Sequence, residues 1–389
     1  MDWKARAEGL ASAVTHPVSR WRPVVAAVPR HVFVPRWWAW SQRGPLLWHD
    51  TWELRDGPAD PQAWLDNAYA DRSLVTRIGP RHADHATPQE RPTGRPTSSA
   101  TMPGLVVQMY RHAMIGGGMR VLDVGTGSGY GCALLAKRLG DRRVTSVDID
   151  EYVTGAAAGR LDAIGLHPHI VTADATGPLT ETLPGTYDRI VAMVAVRPVP
   201  AGWLAVLRTG GRLVTTITGT ALLDTADKTP DGGAAGRAEW DRAGFMNART
   251  GPDYAPGLLE RFAAIRDADG EQVGAGRYPV VNVTLLWDLY TAMGVTVPGV
   301  QHHYREDDGG SRTAWMLHPD GSWARATANA DDPPVVHQAG PRRLWDVLDE
   351  LRHAWLCDGT LPGYGAGVTI DPDGTIHLQR GQWKATISG

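Results

Sequence analysis

The feature that most constrains the fold is a regular alternation of two kinds of segment between residues 119 and 217. MRVLDVG and RRVTSVD have the composition of buried strands, whereas YGCALLAKRL and EYVTGAAAGRLDAIG have the apolar periodicity of helices. HIVTAD, YDRIVAM, AGWLAVLR and GRLVTTI continue the alternation. Strands that alternate with helices at this spacing are typical of a parallel, doubly wound sheet. We therefore predict an α/β fold of the Rossmann-like type, with its core over residues 100–250.

Two regions of different character flank this core. Residues 1–99 are rich in proline and tryptophan, and RIGPRHADHATPQERPTGRP within them has no periodicity, which predicts an exposed, mobile loop. TALLDTA and AEWDRAG predict an antiparallel pair around the turn TPDGG at the end of the core. Residues 251–389 predict an α+β extension. It has hairpins at the Asp-Gly turns of TAWMLHPDGSWARAT and GVTIDPDGTIHLQ, and an amphipathic helix in GPRRLWDVLDELRHAWL.

The composition limits the classes of partner. The 389 residues carry a net charge of −3, so no basic field favours nucleic acid or an anionic membrane. The two cysteines provide neither a disulfide framework nor the spacing of zinc ligands, and no stretch approaches eighteen uninterrupted apolar residues. The sequence therefore favours a cytoplasmic protein that binds no metal, nucleic acid or membrane, and it makes no prediction for the oligomeric state.

The strand-to-helix turn VLDVGTGSGYG contains the glycines Gly125, Gly127 and Gly129. A dinucleotide site requires G-x-G-x-x-G, but Tyr130 occupies the position of the third glycine of that pattern. No Lys-Ser/Thr pair follows, so the turn is not a P-loop either. The loop therefore indicates a ligand other than a dinucleotide or a nucleoside triphosphate.

Acidic residues after the predicted strands indicate which ligand this is. Asp148 ends the second strand, about twenty residues past the loop, where a carboxylate accepts both ribose hydroxyls of a nucleoside. Asp174 ends the third strand, near the expected adenine amino group, and Asp123 lies where an amino-acid ammonium group would bind. An alternative is that such residues only cap helices. Together, however, three carboxylates disfavour a pyrophosphate and favour S-adenosylmethionine.

The residues predicted to bind this cofactor are Thr101, Asp123, Gly125, Thr126, Gly127, Ser128, Gly129, Asp148, Ile149, Asp174 and Ala175.

Four motifs in order resemble the protein-L-isoaspartate O-methyltransferase family. They are VPRHVFVP, NAYADRSL, PTSSATMPGLV and VLDVGTGSGYGCALLA, and the resemblance covers roughly residues 20–220. It implies a class I methyltransferase fold and a carboxylate acceptor in a peptide or protein. The catalytic serine of the family aligns with Ser99. A shift of the alignment by one or two residues would place it on Ser98 or Thr101 instead. The alternative for this TSS motif is an N-cap of the following helix.

Two departures from the family motivate a narrower hypothesis. A long Pro/Arg/His segment separates NAYADRSL from PTSSATMP, and the C-terminal extension is larger than in the repair enzymes. Longer relatives of this type resemble methyltransferases associated with ribosomally synthesised, post-translationally modified peptides. The leading hypothesis is therefore esterification of an aspartate in a modified, cyclised precursor peptide, which leads to a succinimide. Repair of isoaspartyl residues and cofactor binding without turnover remain alternatives.

Overall fold

The computed structural model describes residues 2–42, 50–179, 184–251, 253–254 and 257–388, with only the backbone described at residues 259 and 260. In these residues the chain forms an N-terminal sheet of five strands, a central sheet of ten strands and a C-terminal sheet of five strands. None of the helices in these ranges has both the length and the apolar composition needed to cross a membrane.

The N-terminal region combines helices with an antiparallel sheet. The helices are α1 (Lys4–Val14), α2 (Arg22–Ala27) and α3 (Pro61–Ala68). The strands are β1 (Arg36–Gln42), β2 (Thr51–Asp56), β3 (Leu74–Ile78), β4 (Arg81–His82) and β5 (Pro96–Ala100). β1 pairs with β2 and β3, and β3 pairs with β4 and β5. The hydroxyl motif PTSSA is therefore a strand that lies beside β3.

The strand β1 was not predicted because its first half is covered on both faces. Its adjacent residues Trp37 and Trp38 point to opposite faces, as neighbours in a strand do, and both are buried. A strand buried on both sides lacks the alternation of apolar and polar residues that identifies a half-buried strand.

The segment predicted as an exposed, mobile loop, residues 77–96, is partly buried and contains regular structure. It includes β4 and a short 3-10 turn in which Ala83 is fully buried. The carboxylate of Asp84 accepts hydrogen bonds from Tyr152 and Arg160. The expected exposure is wrong for the first half of the segment, where polar contacts of Asp84 to the helix that carries Tyr152 hold it against the core, whereas most of residues 87–95 are exposed as predicted.

The central sheet confirms the predicted α/β core. Its parallel strands are β6 (Val121–Val124), β7 (Val144–Asp148), β8 (His169–Thr172), β9 (Tyr187–Val196) and β10 (Leu207–Ile217), in the spatial order β8-β7-β6-β9-β10. The helices are α4 (Pro103–His112), α5 (Tyr130–Leu139), α6 (Glu151–Asp162) and α7 (Ala201–Val206). The chain reverses direction across the sheet between β6 and β9. In doubly wound sheets, ligands bind at the carboxyl ends of strands at such a point.

Neighbouring residues of each parallel strand contribute to two separate hydrophobic cores. Val191 of β9 and Val214 of β10 lie in the core shared with α4 and α5. Ile190 and Leu213, one residue earlier in each strand, lie in the core shared with Trp203 of α7. Both faces of the sheet are thus covered, which explains the continuous apolar runs in the sequence.

The other half of the central sheet is antiparallel. The predicted pair is confirmed as β11 (Leu222–Lys228) and β12 (Ala234–Arg242). The last strands of the chain, β18 (Gly367–Ile370), β19 (Ile376–Arg380) and β20 (Trp383–Ile387), then extend the sheet by pairing on β12. The Asp-Gly turn between β18 and β19 docks on the core, since the carbonyl oxygen of Gly374 accepts a 3.1 Å hydrogen bond from the amide of Val199. The predicted boundary at residue 250 therefore falls between strands of one sheet.

The C-terminal sheet is inserted between β12 and β18. It contains β13 (Gln272–Ala275), β14 (Gln301–Glu306), β15 (Ser311–Leu317), β16 (Trp323–Asn329) and β17 (Val335–Ala339), with the helices α8 (Leu259–Ile265), α9 (Trp287–Thr296) and α10 (Leu344–Asp358). The predicted hairpin at HPDG is β15 and β16. The predicted amphipathic helix is α10, whose Leu344 and Leu348 are buried against the sheet.

Candidate active site

A pocket opens at the carboxyl ends of the parallel strands β6 and β7. Its lining includes the loop after β6, residues of β3 and β5, and a segment after β12 at residues 244–249. The predicted site residues that line it are Ser98, Ser99, Thr101, Asp123, Gly125, Thr126, Gly127, Ser128, Asp148, Ile149, Asp174 and Ala175. The hydroxyl motif and the glycine loop therefore meet in one pocket.

The glycines of the loop have different environments. Gly125 and Gly127 have positive φ angles of 91° and 51°, which favour glycine. A β-carbon at Gly127 would lie 3.2 Å from the carbonyl oxygen of Ser99. Gly129 does not line the pocket, because it packs against Ala157, where a β-carbon would lie 3.0 Å from the Ala157 side chain. Gly127 thus allows β5 to approach the loop, and Gly129 allows close helix packing.

Asp148 lies at the end of β7 and is tied to the glycine loop. Its Oδ2 accepts a 3.0 Å hydrogen bond from the amide of Gly127, and its Oδ1 accepts a 3.3 Å hydrogen bond from the amide of Asp150. Burial raises the pKa of Asp148, and both of these hydrogen bonds act in the opposite direction. Each oxygen still has a free acceptor site, so the carboxylate can receive further donors from the pocket.

Asp123 in β6 is more deeply buried, with 1% of its surface exposed. Burial raises the pKa of Asp123 to about 7, although a 2.8 Å hydrogen bond from Ser146 to Oδ2 lowers it. Oδ1 has no partner among the described residues. A buried acceptor without a partner is costly for the protein alone, and a ligand donor that reached it would remove that cost.

Asp174 follows β8 and is largely engaged within its own turn. Its Oδ1 accepts hydrogen bonds from the amide and the hydroxyl of Thr176, at 2.8 and 2.6 Å. The carbonyl oxygen of Ala175 accepts a 2.7 Å hydrogen bond from the indole of Trp203. These contacts fix the backbone at this edge of the pocket.

The hydroxyls of β5 differ in their contacts. The Thr97 hydroxyl donates to the carbonyl oxygen of Gly79 at 2.6 Å, and the Ser98 hydroxyl accepts from Thr76 at 3.1 Å. The Ser99 hydroxyl forms no hydrogen bond with any other described residue, and the Ser98 hydroxyl, which only accepts, still has its proton to donate. Both serines therefore can donate to a ligand, and Ser99 is the one of the three without a hydrogen-bond partner among the described residues. The alternative of a helix N-cap is wrong for Ser99, because it lies within β5 and Met102 occupies the N-cap of α4.

A buried arginine fixes the backbone on both sides of these hydroxyls. Arg30 is fully buried, and its guanidinium donates to the carbonyl oxygens of Ala68, Ala70, Arg72, Ala100 and Thr101. Burial lowers the pKa of Arg30 to about 10, so the side chain keeps its charge at neutral pH. One cation thus joins the chain before Ser73 to the end of β5, and Ser73 and Ser99 both line the pocket.

The segment after β12 was not predicted as part of the site. Residues 244–249 line the pocket, and Ala195 at the end of β9 holds them through backbone hydrogen bonds with Met246 and Ala248 of 2.9 and 2.8 Å. The segment contains Arg249, whose guanidinium lies 3.6 Å from Asp150. The sequence FMNARTG has no motif or periodicity that would identify this role.

Comparisons with known proteins establish the family. The model of the family "Protein-L-isoaspartate(D-aspartate) O-methyltransferase (PCMT)" matches residues 71–240. The protein-L-isoaspartate O-methyltransferase 1 of Anaeromyxobacter sp. strain Fw109-5 is 34% identical over 181 residues, which cover 45% of this chain and 82% of that protein. The chain belongs to the protein-L-isoaspartate O-methyltransferase family.

Other members of the family match over a smaller share of their length. The protein-L-isoaspartate O-methyltransferase of Dinoroseobacter shibae is 37% identical over 115 residues, which cover 29% of this chain and 51% of that protein. The protein of the same name from Thermotoga maritima is 30% identical over 126 residues, which cover 32% of this chain and 39% of that protein. This member of the family thus aligns with about half the length of these two relatives, or less.

The fold similarity extends beyond the region of sequence similarity. A solved structure titled protein-L-isoaspartate O-methyltransferase aligns with a TM-score of 0.50 at 18% identity, over 97% of this chain and 99% of its own. The similarity therefore includes the C-terminal region. The expectation that proteins of this name lack an extension of this size is wrong for that protein, so the extension alone does not set this family member apart.

Proposed function

We propose that this family member is an S-adenosylmethionine-dependent O-methyltransferase that esterifies the carboxylate of an aspartyl-type residue in a peptide or protein. The observation that carries this proposal is the meeting of the glycine loop and the Ser99 strand in one pocket, with the Ser99 carbonyl oxygen 3.2 Å from the position of a β-carbon at Gly127. The glycine loop, which suits a nucleoside, and the Ser99 hydroxyl, which can still donate a hydrogen bond, therefore line the same pocket.

The charges of the pocket support this cofactor. Three carboxylates, Asp123, Asp148 and Asp174, line it, which disfavours a pyrophosphate by like-charge repulsion. We assign Asp148 to the ribose hydroxyls and the unpartnered Oδ1 of Asp123 to the ammonium group. The turn at Asp174 and Ala175 is assigned to the adenine amino group. Each assignment gives a polar group of the ligand an acceptor that the pocket offers.

The chemistry requires positioning more than proton transfer. When bound, the cofactor supplies an electrophilic methyl group on a sulfonium. An aspartyl carboxylate is ionised at neutral pH, since its ordinary pKa is about 4, so no general base is needed. The Ser99 hydroxyl donates a hydrogen bond to one carboxylate oxygen and leaves the other directed toward the cofactor. Holding the acceptor in this way supplies the orientation on which an in-line displacement depends.

For the acceptor, our leading candidate is an aspartate of a modified, cyclised precursor peptide. Support comes from residues 77–96, which Asp84 joins to the core through Tyr152, and from Arg95 within them, whose guanidinium lies 4.8 Å from the centroid of the Tyr254 ring. This contact joins the segment to the chain after β12, and we propose that both belong to a groove for a folded peptide. The C-terminal sheet is proposed to extend this groove. The backbone amide nitrogen of the following residue would then attack the ester carbonyl, and methanol would leave to give a succinimide.

Repair of isoaspartyl residues is the second candidate. It is supported by the family to which the chain belongs and by the extended fold of the solved protein named for isoaspartate. Both candidates use the same pocket and the same cofactor, so they differ only in the peptide presented to Ser99.

Mass spectrometry separates these candidates from each other and from a protein that binds the cofactor without turnover. The protein is incubated with S-adenosylmethionine and three peptides of matched sequence, containing isoaspartate, linear aspartate or aspartate within a ring. Methylation is recorded as a gain of about 14 Da, or as a loss of about 18 Da where the ester has already closed to a succinimide. Either change on the ring peptide alone supports the leading candidate, and either change on the isoaspartyl peptide alone supports repair. If the cofactor binds and no peptide shows either change, carboxyl methylation is wrong. An asparagine peptide is the control.

A further inference from the structure

The pocket is strongly acidic apart from one residue. Asp123, Asp148 and Asp174 line it, and Arg249 is the one lysine or arginine among the described residues of its lining. Burial raises the pKa of Asp123 and Asp148, but to the extent that these carboxylates are ionised they repel an acceptor carboxylate unless a cation offsets them. Building on the proposed function, we propose that Arg249 holds the acceptor carboxylate and so selects an acidic over an amide side chain.

The backbone before Arg249 is fixed to the central sheet. The amide of Ala195 donates to the carbonyl oxygen of Met246 at 2.9 Å, and the amide of Ala248 donates to the carbonyl oxygen of Ala195 at 2.8 Å. Ala195 belongs to the carboxyl end of β9, next to the pocket-lining residue Val194. The Arg249 side chain therefore begins one residue after an anchored position at the site.

The charge of Arg249 is only partly matched by the protein. The Asp150 carboxylate uses Oδ1 to cap α6, where it accepts from the amide of Val153. Its Oδ2 faces two guanidiniums, that of Arg77 at 3.1 Å and that of Arg249 at 3.6 Å. Both arginine side chains are only 8% exposed. Both buried cations thus contact Asp150, and Asp148 also attracts Arg249 from a longer distance. The longer of the two Asp150 contacts belongs to the arginine that lines the pocket.

This arrangement favours a second anion beside Arg249. A buried charge without a full complement of opposite charge is unfavourable, and an incoming carboxylate would supply the missing partner. One Arg249 nitrogen donates to the carbonyl oxygen of Gly251, which orients the group without neutralising it. Ser99 offers the acceptor a hydrogen bond, whereas Arg249 offers it opposite charge.

Two other roles for Arg249 make different predictions. If it only stabilises Asp150 and the start of α6, then Arg77 should be equally important, because Arg77 forms the shorter contact with the same oxygen. If it contacts the cofactor, its removal should weaken cofactor binding in parallel with peptide binding. Arg77 is absent from the described pocket lining, which makes it the matched control.

The experiment measures binding without turnover. Two peptides of identical sequence carry either the acceptor acid or the corresponding amide, and calorimetry with S-adenosylhomocysteine present gives the affinity ratio of acid to amide. We expect Arg249→Gln to reduce this ratio by roughly 10- to 100-fold. Arg249→Lys should restore part of it, and Arg77→Gln should retain it. The S-adenosylhomocysteine Kd should stay within about twofold in all folded variants, because Arg249 is not assigned to the cofactor.

The outcomes distinguish this inference from the proposed function. An unchanged acid-to-amide ratio in Arg249→Gln would overturn the role of Arg249 while leaving carboxyl methylation intact. Equal losses in Arg249→Gln and Arg77→Gln would instead show a structural role through Asp150. Absence of any acid preference in the wild-type protein would count against the proposed acceptor class itself. Thermal unfolding of each variant confirms that the comparison is made between folded proteins.

Discussion

The two halves of the central sheet differ in how their strands follow one another along the chain. The parallel half is built from the continuous stretch between Val121 and Ile217. The antiparallel half joins β11 and β12 to three strands from the end of the chain, with the whole C-terminal sheet between them. The parallel half carries the motifs of the pocket, whereas the antiparallel half encloses one side of it through residues 244–249. The difference shows that a site visible in local motifs can still depend on contacts distant in sequence.

The largest effect is expected from removal of the last strands. A chain that ends at residue 250 lacks β18–β20, so β12 becomes an unpaired edge and the core loses Val368, Ile370, Ile376 and Leu378. We expect this chain not to fold cooperatively, as followed by circular dichroism during thermal unfolding. A chain that ends at Gly381 and lacks only the edge strand β20 is the control, and it should fold with reduced stability. A cooperative transition in the shorter chain would show that the parallel half is independent.

The next effect concerns Asp148 in the parallel half. Asp148→Ala removes the carboxylate assigned to the ribose, and loss of charged hydrogen bonds should weaken S-adenosylhomocysteine binding by roughly 100-fold. Calorimetry gives the Kd, and Asp162→Ala, which removes an exposed carboxylate from α6, serves as the control. An unchanged Kd in folded Asp148→Ala would remove the ribose assignment.

A buried carboxyl in the antiparallel half provides a test through pH. Neither oxygen of Asp224 has a partner among the described residues, and burial raises its pKa to about 7. Between about pH 4 and pH 7 the folded state keeps a proton that the unfolded state has released. The free energy of unfolding therefore falls as pH rises through this window, by about 1.4 kcal/mol per pH unit for one such group.

Asp224→Asn should remove the Asp224 share of this slope and leave cofactor binding unchanged. Asp123→Asn should reduce the pH dependence of the free energy of unfolding by a similar amount, because burial also raises the pKa of Asp123 to about 7. Unlike Asp224→Asn, it should also weaken cofactor binding. Urea unfolding at several pH values gives the slopes. An identical pH dependence in Asp224→Asn and the wild-type protein would contradict the raised pKa.

The smallest of the expected effects concerns the acceptor side. Ser99→Ala should lower kcat by roughly tenfold through loss of one hydrogen bond to a charged group, with the cofactor Kd unchanged. Ser98→Ala should lower kcat less, since the acceptor is assigned to Ser99 and the Ser98 hydroxyl is already oriented by the hydrogen bond that it accepts from Thr76. Parallel losses of turnover and cofactor affinity in Ser99→Ala would make Ser99 a cofactor ligand.

The sequence predicted the parallel half well because its signals are local. The helix over YGCALLAKRL begins and ends at Tyr130 and Leu139 as expected, and the Asp-Gly turns identified two hairpins. Twelve of the thirteen predicted site residues line the pocket. Gly129 is the exception because its position is set by contact with Ala157, which no local pattern reveals.

The remaining features depend on contacts that no local pattern encodes. The adjacent tryptophans of β1 are both buried, so that strand has no alternation. Asp84 within residues 77–96 is held by Tyr152 and Arg160, and the Arg249 side chain reaches the pocket because Ala195 anchors the preceding backbone. In each case the partner lies far along the chain. Composition and periodicity therefore identify the elements but not the pairing of distant segments.

The late return of the chain to the central sheet has a consequence during synthesis. β12 leaves the ribosome about 125 residues before its neighbour β18. At roughly 5–20 residues per second, the edge of β12 stays open for roughly ten seconds in every new molecule. Open edges recruit strands from other chains, and charged side chains along an edge oppose this. The exposed side chains of β12 include Arg237, Asp241 and Arg242, and we expect their charges to oppose such pairing until β18 arrives.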